Sequence, residues 1–315
     1  MTMVTQPSMS SISQTEEGKV LAIIGMGPHL GMAVARRFGS EGYRLGLVAR
    51  NPERLESYIA VLASAGIEAA AFPADVCDPA QLEKALAELE NHFGRIDALE
   101  YSPMINGEDI RAPADTAPEN IMPMMQHIVY GAVTAANCVL AGMVARGDGV
   151  LLFTMGSSAV TTLPSHTNVA IAMAGLHRYV ESLSIAFADQ GIYAANFVIG
   201  ELLPPDQYAD ILWNMATKRE NVSVVIGDPK PLAAFETLVA RGYAQPHPAK
   251  LIRSLPPARD DKERDTLLLA LCHAHMTASQ FEDRESIVAD IRREVRKLGG
   301  DMGARYFGAS VGGQE

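Results

Sequence analysis

The stretch that most constrains this chain is a short apolar run followed at once by a cluster of glycines. Residues 20–24 predict a buried strand, and Gly25, Gly27 and Gly31 follow it closely. Apolar residues then recur at helical spacing as far as Phe38. Glycine tolerates positive φ and lets a phosphate approach the backbone, and the N-terminus of a helix attracts anions. The stretch therefore predicts a dinucleotide-binding turn between a strand and a helix.

Length and composition narrow the class of protein further. The chain has 315 residues, 48% of them hydrophobic, which allows one large domain with a substantial core. Its formal net charge of −11 argues against nucleic acid and against a membrane surface as partners, because both favour basic proteins. The three cysteines lack metal or redox spacing, so we expect reduced thiols, no metal site and a cytoplasmic location. A small molecule is the expected ligand.

The remainder of the chain predicts an α/β protein. Short apolar strands alternate with helices at a regular spacing, which is typical of a Rossmann-type, doubly wound parallel sheet. We expect about seven strands, at residues 20–24, 44–49, 67–72, 96–100, 149–154, 191–198 and 221–227. The helices between them are expected to begin at residue 30 and to span 52–65, 79–93, 124–145, 169–189 and 205–218.

The two ends of the chain differ from this pattern. Residues 1–18 are rich in polar residues and predict a disordered tail, neither signal peptide nor anchor, and we expect no apolar run of the ~18 residues that span a bilayer. The dinucleotide-binding domain is expected to cover 19–228. Residues 229–315 predict a helical C-terminal extension, with helices at 231–241, 262–278 and 279–298 and a proline-rich connector at 245–257. One apolar stripe of the last helix is formed by Ile287, Ile291, Val295 and Leu298.

The glycine segment and the order of elements over about 210 residues resemble the short-chain dehydrogenase/reductase family. That family carries a TGxxxGxG turn, which this chain matches imperfectly. Ile24 replaces the threonine, Gly25 and Gly31 keep the outer glycines, and His29 replaces the middle one. Asp75 and Val76 match the family's Asp-Val pair, residues 191–198 resemble its GIRVNxV strand, and residues 201–205 and 208–213 resemble its substrate loop.

The resemblance implies a set of residues that bind the cofactor. They are Gly25, Gly27, His29, Leu30, Gly31, Arg50, Asp75, Val76 and Ser102. Within this set, Asp75 is expected at the adenine amino group. Arg50 follows the second strand, where a carboxylate would select NAD(H), and an arginine there pairs with the 2′-phosphate of NADP. We therefore expect NADP(H) and consider NAD(H) disfavoured.

The resemblance fails at the catalytic positions. Ungapped counting places Ile128, Gly156, Val169 and Met173 where the family has its Asn, Ser, Tyr and Lys, and no Tyr-x-x-x-Lys occurs in the chain. The proton donor, its pKa modulator and the relay residue are therefore missing together, and the catalytic residues stay unknown. Tyr101 is a possible replacement acid, although packing is the favoured interpretation of an aromatic residue at a strand end.

Other candidates have simpler interpretations. His166 lies in a loop near the expected substrate position and is interpreted as solvated. Cys272, His273 and His275 lack zinc spacing. Met122, Met124 and Met125 open a helix that pairs subunits in many family members, and they predict core packing or the interface of a homo-oligomer, a dimer or tetramer.

Three functions remain open at this point. The first is an NADP(H)-dependent oxidoreductase with an unusual proton source, acting on a small apolar substrate. The second is a catalytically silent NADP(H)-binding protein that acts as a sensor or a partner subunit. The third is a non-redox lyase or isomerase that uses the same pocket.

Overall fold

A computed structural model describes residues 18–105, 107–200, 203–227 and 284–298, together with residues 252, 257, 258, 264, 267 and 271. Its strands are β1 (Val20–Ile24), β2 (Arg44–Val48), β3 (Ala69–Ala71), β4 (Ala98–Tyr101), β5 (Gly149–Gly156), β6 (Ile192–Ile199) and β7 (Ser223–Ile226). Its helices are α1 (Leu30–Gly39), α2 (Pro52–Ser64), α3 (Pro79–Phe93), α4 (Pro118–Met124), α5 (Gly131–Arg146), α6 (Thr167–Phe187), α7 (Pro205–Lys218) and α8 (Arg284–Leu298).

All seven strands form one parallel sheet in the order β3-β2-β1-β4-β5-β6-β7. The order reverses between β1 and β4, which are neighbours in the sheet although two strands separate them along the chain. In doubly wound sheets, ligands bind in the crevice outside the carboxyl ends of the strands at such a reversal. The predicted Rossmann-type fold is confirmed, and its topology places the ligand crevice above β1 and β4.

Alternate residues of the strands face two separate cores. One core packs α3, α5 and α6 against the sheet, and the other packs α1, α2 and α7 against the opposite face. Because both faces are covered, the strands are nearly continuous apolar runs, as in β1, whose five residues are all buried. The cores hold the carboxyl ends of the strands in fixed positions.

Several predicted boundaries are wrong. β3 is only three residues long, and β5 extends two residues beyond its predicted end, to Gly156. The helix predicted over 124–145 begins earlier, at Pro118, and changes at Met125–Tyr130 into a π-helix. Insertions of this kind are frequent at functional sites, and hydrophobic periodicity alone does not reveal them.

The long helical stretch from Pro118 to Arg146 also contradicts the expectation that no segment is apolar and long enough to span a bilayer. By length and composition it passes that criterion, with 39% of its most apolar window buried inside the protein. Its buried face includes Ala132, Ala136 and Met143 and packs against the sheet and α3. A core helix of a soluble protein passes the same test, so this is weak evidence for a membrane.

The C-terminal predictions are covered only in part. The last helix is present as α8, and Ile287, Ile291 and Val295 of the predicted stripe are buried within the single chain. Four other predicted segments lie wholly or mostly outside the described residues. They are the helices at 231–241 and 262–278, the proline-rich connector and the N-terminal tail to residue 17. The proposed division at residue 228 stays a prediction.

Candidate functional site

The glycine turn after β1 has the geometry that a close approach to a ligand requires. Gly25 adopts φ +92°, and a Cβ added to it would lie 2.5 Å from the Cα of Pro103. Its N–H and that of Met26 donate to the carbonyl of Val48. The turn is therefore clamped between the carboxyl ends of β2 and β4, and a side chain at Gly25 is excluded both by φ and by space.

Little of the described chain lies above the turn where it enters α1. Among the described residues, a Cβ on Gly27 would have only the carbonyl oxygen of Gly25 nearby, at 3.8 Å. The N–H groups of Met32 and Ala33 donate to the carbonyls of Gly27 and His29, so the first amides of the helix, at Leu30 and Gly31, point out of its N-terminus. Backbone donors beside an uncovered glycine fit a pyrophosphate. The predicted residues of this turn are brought together as expected.

The other end of a dinucleotide site is formed by the loops after β2 and β3. Arg50 is exposed after β2, and Asp75 follows β3, where its Oδ1 accepts the N–H of Cys77 at 2.9 Å. Burial and the charge of Asp75 raise the pKa of the Cys77 thiol, and the positive charge of Arg50 lowers it less strongly. Arg50 and Asp75 therefore lie on one side of the crevice, as the sequence predicted, and Val76 is buried beneath them.

His127 completes this corner from the π-helix. Its Nδ1 lies 3.7 Å from the Sγ of Cys77, and its buried Nε2 makes no regular hydrogen bond within the described part of the chain. Burial lowers the pKa of this imidazole, and Arg50 also lowers it, while Asp75 and the Pro103 carbonyl act in the opposite direction. His127 is therefore a buried imidazole at this corner, and no pattern in the sequence pointed to it.

Tyr101 is a packing residue, as the favoured interpretation had it. It is 2% exposed, and its hydroxyl donates to the carbonyl of His127 at 2.5 Å, beside Gly131. Burial raises the pKa of this phenol far above its ordinary value. A phenol sealed in this way cannot act as an acid in the crevice.

Glu100, the residue beside Tyr101, lies on the opposite face of β4 and is fully buried. Its Oε1 accepts the hydroxyl of Thr154 and its Oε2 accepts the hydroxyl of Ser102, both at 2.8 Å. Burial raises the pKa of this carboxyl to about 7, although both hydrogen bonds act to lower it. Ser102 thus lies beside Gly25, and its hydroxyl is held by a buried acid.

The four positions that ungapped counting assigned to the family's catalytic residues are apolar or lack a side chain. Val169 is 2% exposed and Ile128 is 5% exposed, so both belong to the core. The hydroxyl of Ser158 donates a hydrogen bond to the Sδ of Met173, at 3.2 Å. Among the residues that the structure describes, a Cβ on Gly156 would meet only Met173, at 3.7 Å.

A loop before α4 is fastened over this region by Asn168, which is fully buried next to Val169. The Asn168 Oδ1 accepts the N–H of Arg111, and its Nδ2 donates to the carbonyl of Asp109, both at 2.8 Å. His166 is partly exposed at the start of α6, with its Nδ1 2.8 Å from the Ser165 hydroxyl. Asn168 fixes the loop, and His166 lies near the surface, in accordance with the solvated interpretation.

Among the described residues no group of three His, Cys, Asp or Glu side chains is placed to hold a metal ion. Cys77 and Cys138 are free thiols. Cys272, His273 and His275 lie outside the described residues.

With this fold and this turn, the chain belongs to the short chain dehydrogenase family, whose model matches residues 19–205. Similar relatives are a 2,3-dihydro-2,3-dihydroxybenzoate dehydrogenase of Bacillus subtilis and a 3beta-hydroxysteroid dehydrogenase of Eggerthella lenta. The first is 28% identical over 67% of this chain and 78% of its own length, and the second 24% identical over 72% and 88%.

Solved structures show the same fold. A metagenomic short-chain oxidoreductase in complex with NADP matches with a TM-score of 0.61, 19% identity and coverage of 67% of this chain and 97% of its own. A gluconate 5-dehydrogenase from Burkholderia cenocepacia, in complex with NADP and tartrate, matches with a TM-score of 0.62 and 19% identity, over 68% and 94% of the two chains. These likenesses confirm the architecture.

Besides His127, two residues of the site were missed by sequence reasoning. Glu100 carried a signal, because an acidic residue inside an apolar strand is rarely buried without a specific environment. Asn168 carried none, since its partners lie 57 and 59 residues away along the chain.

Proposed function

We propose that this chain is an NADP(H)-binding oxidoreductase of the short-chain dehydrogenase type with an atypical active site, acting on a small apolar substrate. The observation that carries the proposal is the glycine turn, with Gly25 clamped against Pro103 and no described side chain within 4 Å of a Cβ built on Gly27. These features suit the pyrophosphate of a dinucleotide. When bound, NADP(H) supplies hydride transfer at its nicotinamide ring.

The residues of this chain fit each part of that cofactor. The amides at the start of α1 face the pyrophosphate position, Asp75 is available to the adenine amino group, and Ser102 lies beside the turn. Arg50 is exposed at the end of β2, where no carboxylate competes for it at positions 49–52. A guanidinium in this place favours the 2′-phosphate of NADP(H) over the 2′-hydroxyl of NAD(H).

The site is atypical because its apolar residues occupy the proton-transfer positions. Val169 is buried and Met173 is engaged by Ser158. Ile105, Ile110 and Ala159 pack against the same apolar core. A ligand with a large apolar part would suit a pocket formed beside these residues.

The same burial favours a second candidate, a catalytically silent NADP(H)-binding protein that acts as a sensor or through a partner. The two candidates differ in one observable. An oxidoreductase transfers hydride from bound NADPH to a carbonyl compound, whereas the silent protein binds NADPH and leaves it unchanged in the presence of activated carbonyls.

Arg50 gives the test of cofactor choice. We expect NADPH to bind at least about ten times more tightly than NADH, because a charge-assisted bond to phosphate contributes about 1.5–3 kcal/mol. Arg50→Ala should remove this preference, and Arg54→Ala, which changes an exposed arginine four residues further on, should keep it. Calorimetric titration of the three proteins with both cofactors measures the ratio. Equal affinities in the unmodified protein would contradict the proposed choice of cofactor.

A further inference from the structure

The buried carboxyl of Glu100 has two hydroxyl groups as its connections to the crevice. Glu100 itself is fully buried on β4, whereas Ser102 and Thr154 are partly exposed. Each hydroxyl lies 2.8 Å from one of the two carboxyl oxygens. A proton on Glu100 therefore has a hydrogen-bonded route out of the protein interior on either side.

The Thr154 route leads toward the end of β5. Thr154 and Gly156 are two residues apart on one strand, so they face the same side of the sheet, about 7 Å from each other. Among the described residues, the side chain that lies within 4 Å of a Cβ built on Gly156 is that of Met173. The carboxyl ends of β4 and β5 lie next to the reversal of strand order, where ligands of doubly wound sheets bind.

The surroundings of Glu100 favour its neutral form near neutral pH. Burial raises its pKa to about 7, and among the described residues only the two hydroxyl groups act against burial. Tyr101 faces the other side of the sheet, and Asp97, with Arg95 and Arg146, lies at the opposite end of the strand. The group is an acid that gains or loses a proton in the range where a reductase works.

We propose that Glu100 supplies, through the Thr154 hydroxyl, the proton for reduction of a substrate carbonyl seated over Gly156. This inference rests on the proposed oxidoreductase function and names its missing proton source. The carbonyl carbon accepts hydride from NADPH, its π electrons move to the oxygen, and the oxygen takes the proton of Thr154 Oγ1. Thr154 in turn takes the proton of Glu100 Oε1. The carboxylate that remains regains a proton from solvent through Ser102.

A first consequence concerns binding alone. Oxidised nicotinamide is positively charged, so a nearby carboxylate stabilises bound NADP⁺ and leaves NADPH almost unaffected. The ratio of NADP⁺ affinity to NADPH affinity should rise about tenfold between about pH 6 and about pH 8. Titration of the 2′-phosphate affects both cofactors equally and cancels in the ratio. Glu100→Gln should make the ratio independent of pH, and Glu56→Gln, an exposed acid, should leave it as in the unmodified protein.

A second consequence concerns the proton. With isatin as an activated carbonyl probe, the unmodified protein should oxidise bound NADPH in single turnovers whose rate falls as Glu100 loses its proton. Glu100→Gln and Thr154→Val should each lower the rate about 100-fold, because positioned proton transfer contributes that much. Thr154→Ser, which keeps the hydroxyl, should restore most of the rate, and Glu56→Gln should not change it.

The binding measurement and the single-turnover measurement together distinguish the possible outcomes. If NADPH does not bind, the proposed function fails. If NADPH binds but the affinity ratio does not change with pH, Glu100 is not close to the nicotinamide and the inference is overturned. It is overturned equally if isatin is not reduced by the unmodified protein, or if Glu100→Gln and Thr154→Val reduce it at the unmodified rate.

Discussion

Glu100 shows how one side chain ties the stability of this fold to pH. Its pKa is raised from an ordinary value of 4.5 to about 7 in the folded protein, because burial disfavours the carboxylate. The folded state therefore holds the proton over a range of pH in which the unfolded state has released it. The contribution of Glu100 to the free energy of unfolding is fully present below about pH 4.5 and is lost as the pH rises to about 7.

Replacing Glu100 by glutamine should remove that loss. We compare the free energy of unfolding of Glu100→Gln with that of the unmodified protein at each pH. This difference should favour the variant by about 3 kcal/mol more at about pH 8 than at about pH 5. Urea denaturation at both pH values measures the difference, and Glu56→Gln is the control for loss of an acidic side chain at the surface. If the two proteins differ in free energy of unfolding by the same amount at both pH values, Glu100 does not titrate in this range.

At the scale of elements, the strand-to-helix turn was the part of the site that sequence could predict. Its residues are adjacent along the chain, so their spacing determines their geometry, and Gly25, Gly27 and Gly31 all lie where expected. The contacts of Glu100 and Asn168 could not be predicted in this way. Thr154 is 54 residues from Glu100, and the loop held by Asn168 is 57 residues away, so these contacts exist only once the sheet has formed.

The π-helix was missed for a different reason. Apolar residues continue on both sides of Gln126 and His127 within Met125–Tyr130, so hydrophobic periodicity indicated one regular helix. An extra residue in a helical turn shifts every following side chain, and here it brings His127 against Cys77.

The turn itself can be tested against a matched glycine. Gly25 and Gly66 both have positive φ, at +92° and +73°, but a Cβ would collide with Pro103 at Gly25 and meets nothing within 4 Å at Gly66. Gly66→Ala should cost about 1–2 kcal/mol of stability from backbone strain, and Gly25→Ala should cost more and weaken NADPH binding. Denaturation and cofactor titration of both variants measure this. Equal stability losses with unchanged binding would show that the clamp on Gly25 is unimportant.

At the scale of the whole molecule, we propose that the protein is a homo-oligomer. Met124 is buried in the core, but Met122, Tyr130 and Ile171 are between 45% and 51% exposed on α4, the π-helix and α6. These three elements pack against one another in the fold. Apolar surface of this kind is typical of subunit contacts.

Light scattering should therefore give the mass of a dimer or tetramer. Introducing charge with Tyr130→Glu and Ile171→Glu should shift the protein toward monomer, and Val61→Glu, at a similarly exposed position on α2, should not. A monomeric unmodified protein at micromolar concentration would contradict the proposal.

The proposed function depends most on an intact NADP(H) site, and a titration of the unmodified 315-residue chain tests this directly. Nicotinamide fluorescence is recorded as NADPH is added, first alone and then in competition with NADH. We expect saturable binding of one NADPH per chain, which NADH displaces only at about ten times higher concentration. Fluorescence that rises without saturation, as for NADPH free in solution, would contradict the proposed NADP(H) site.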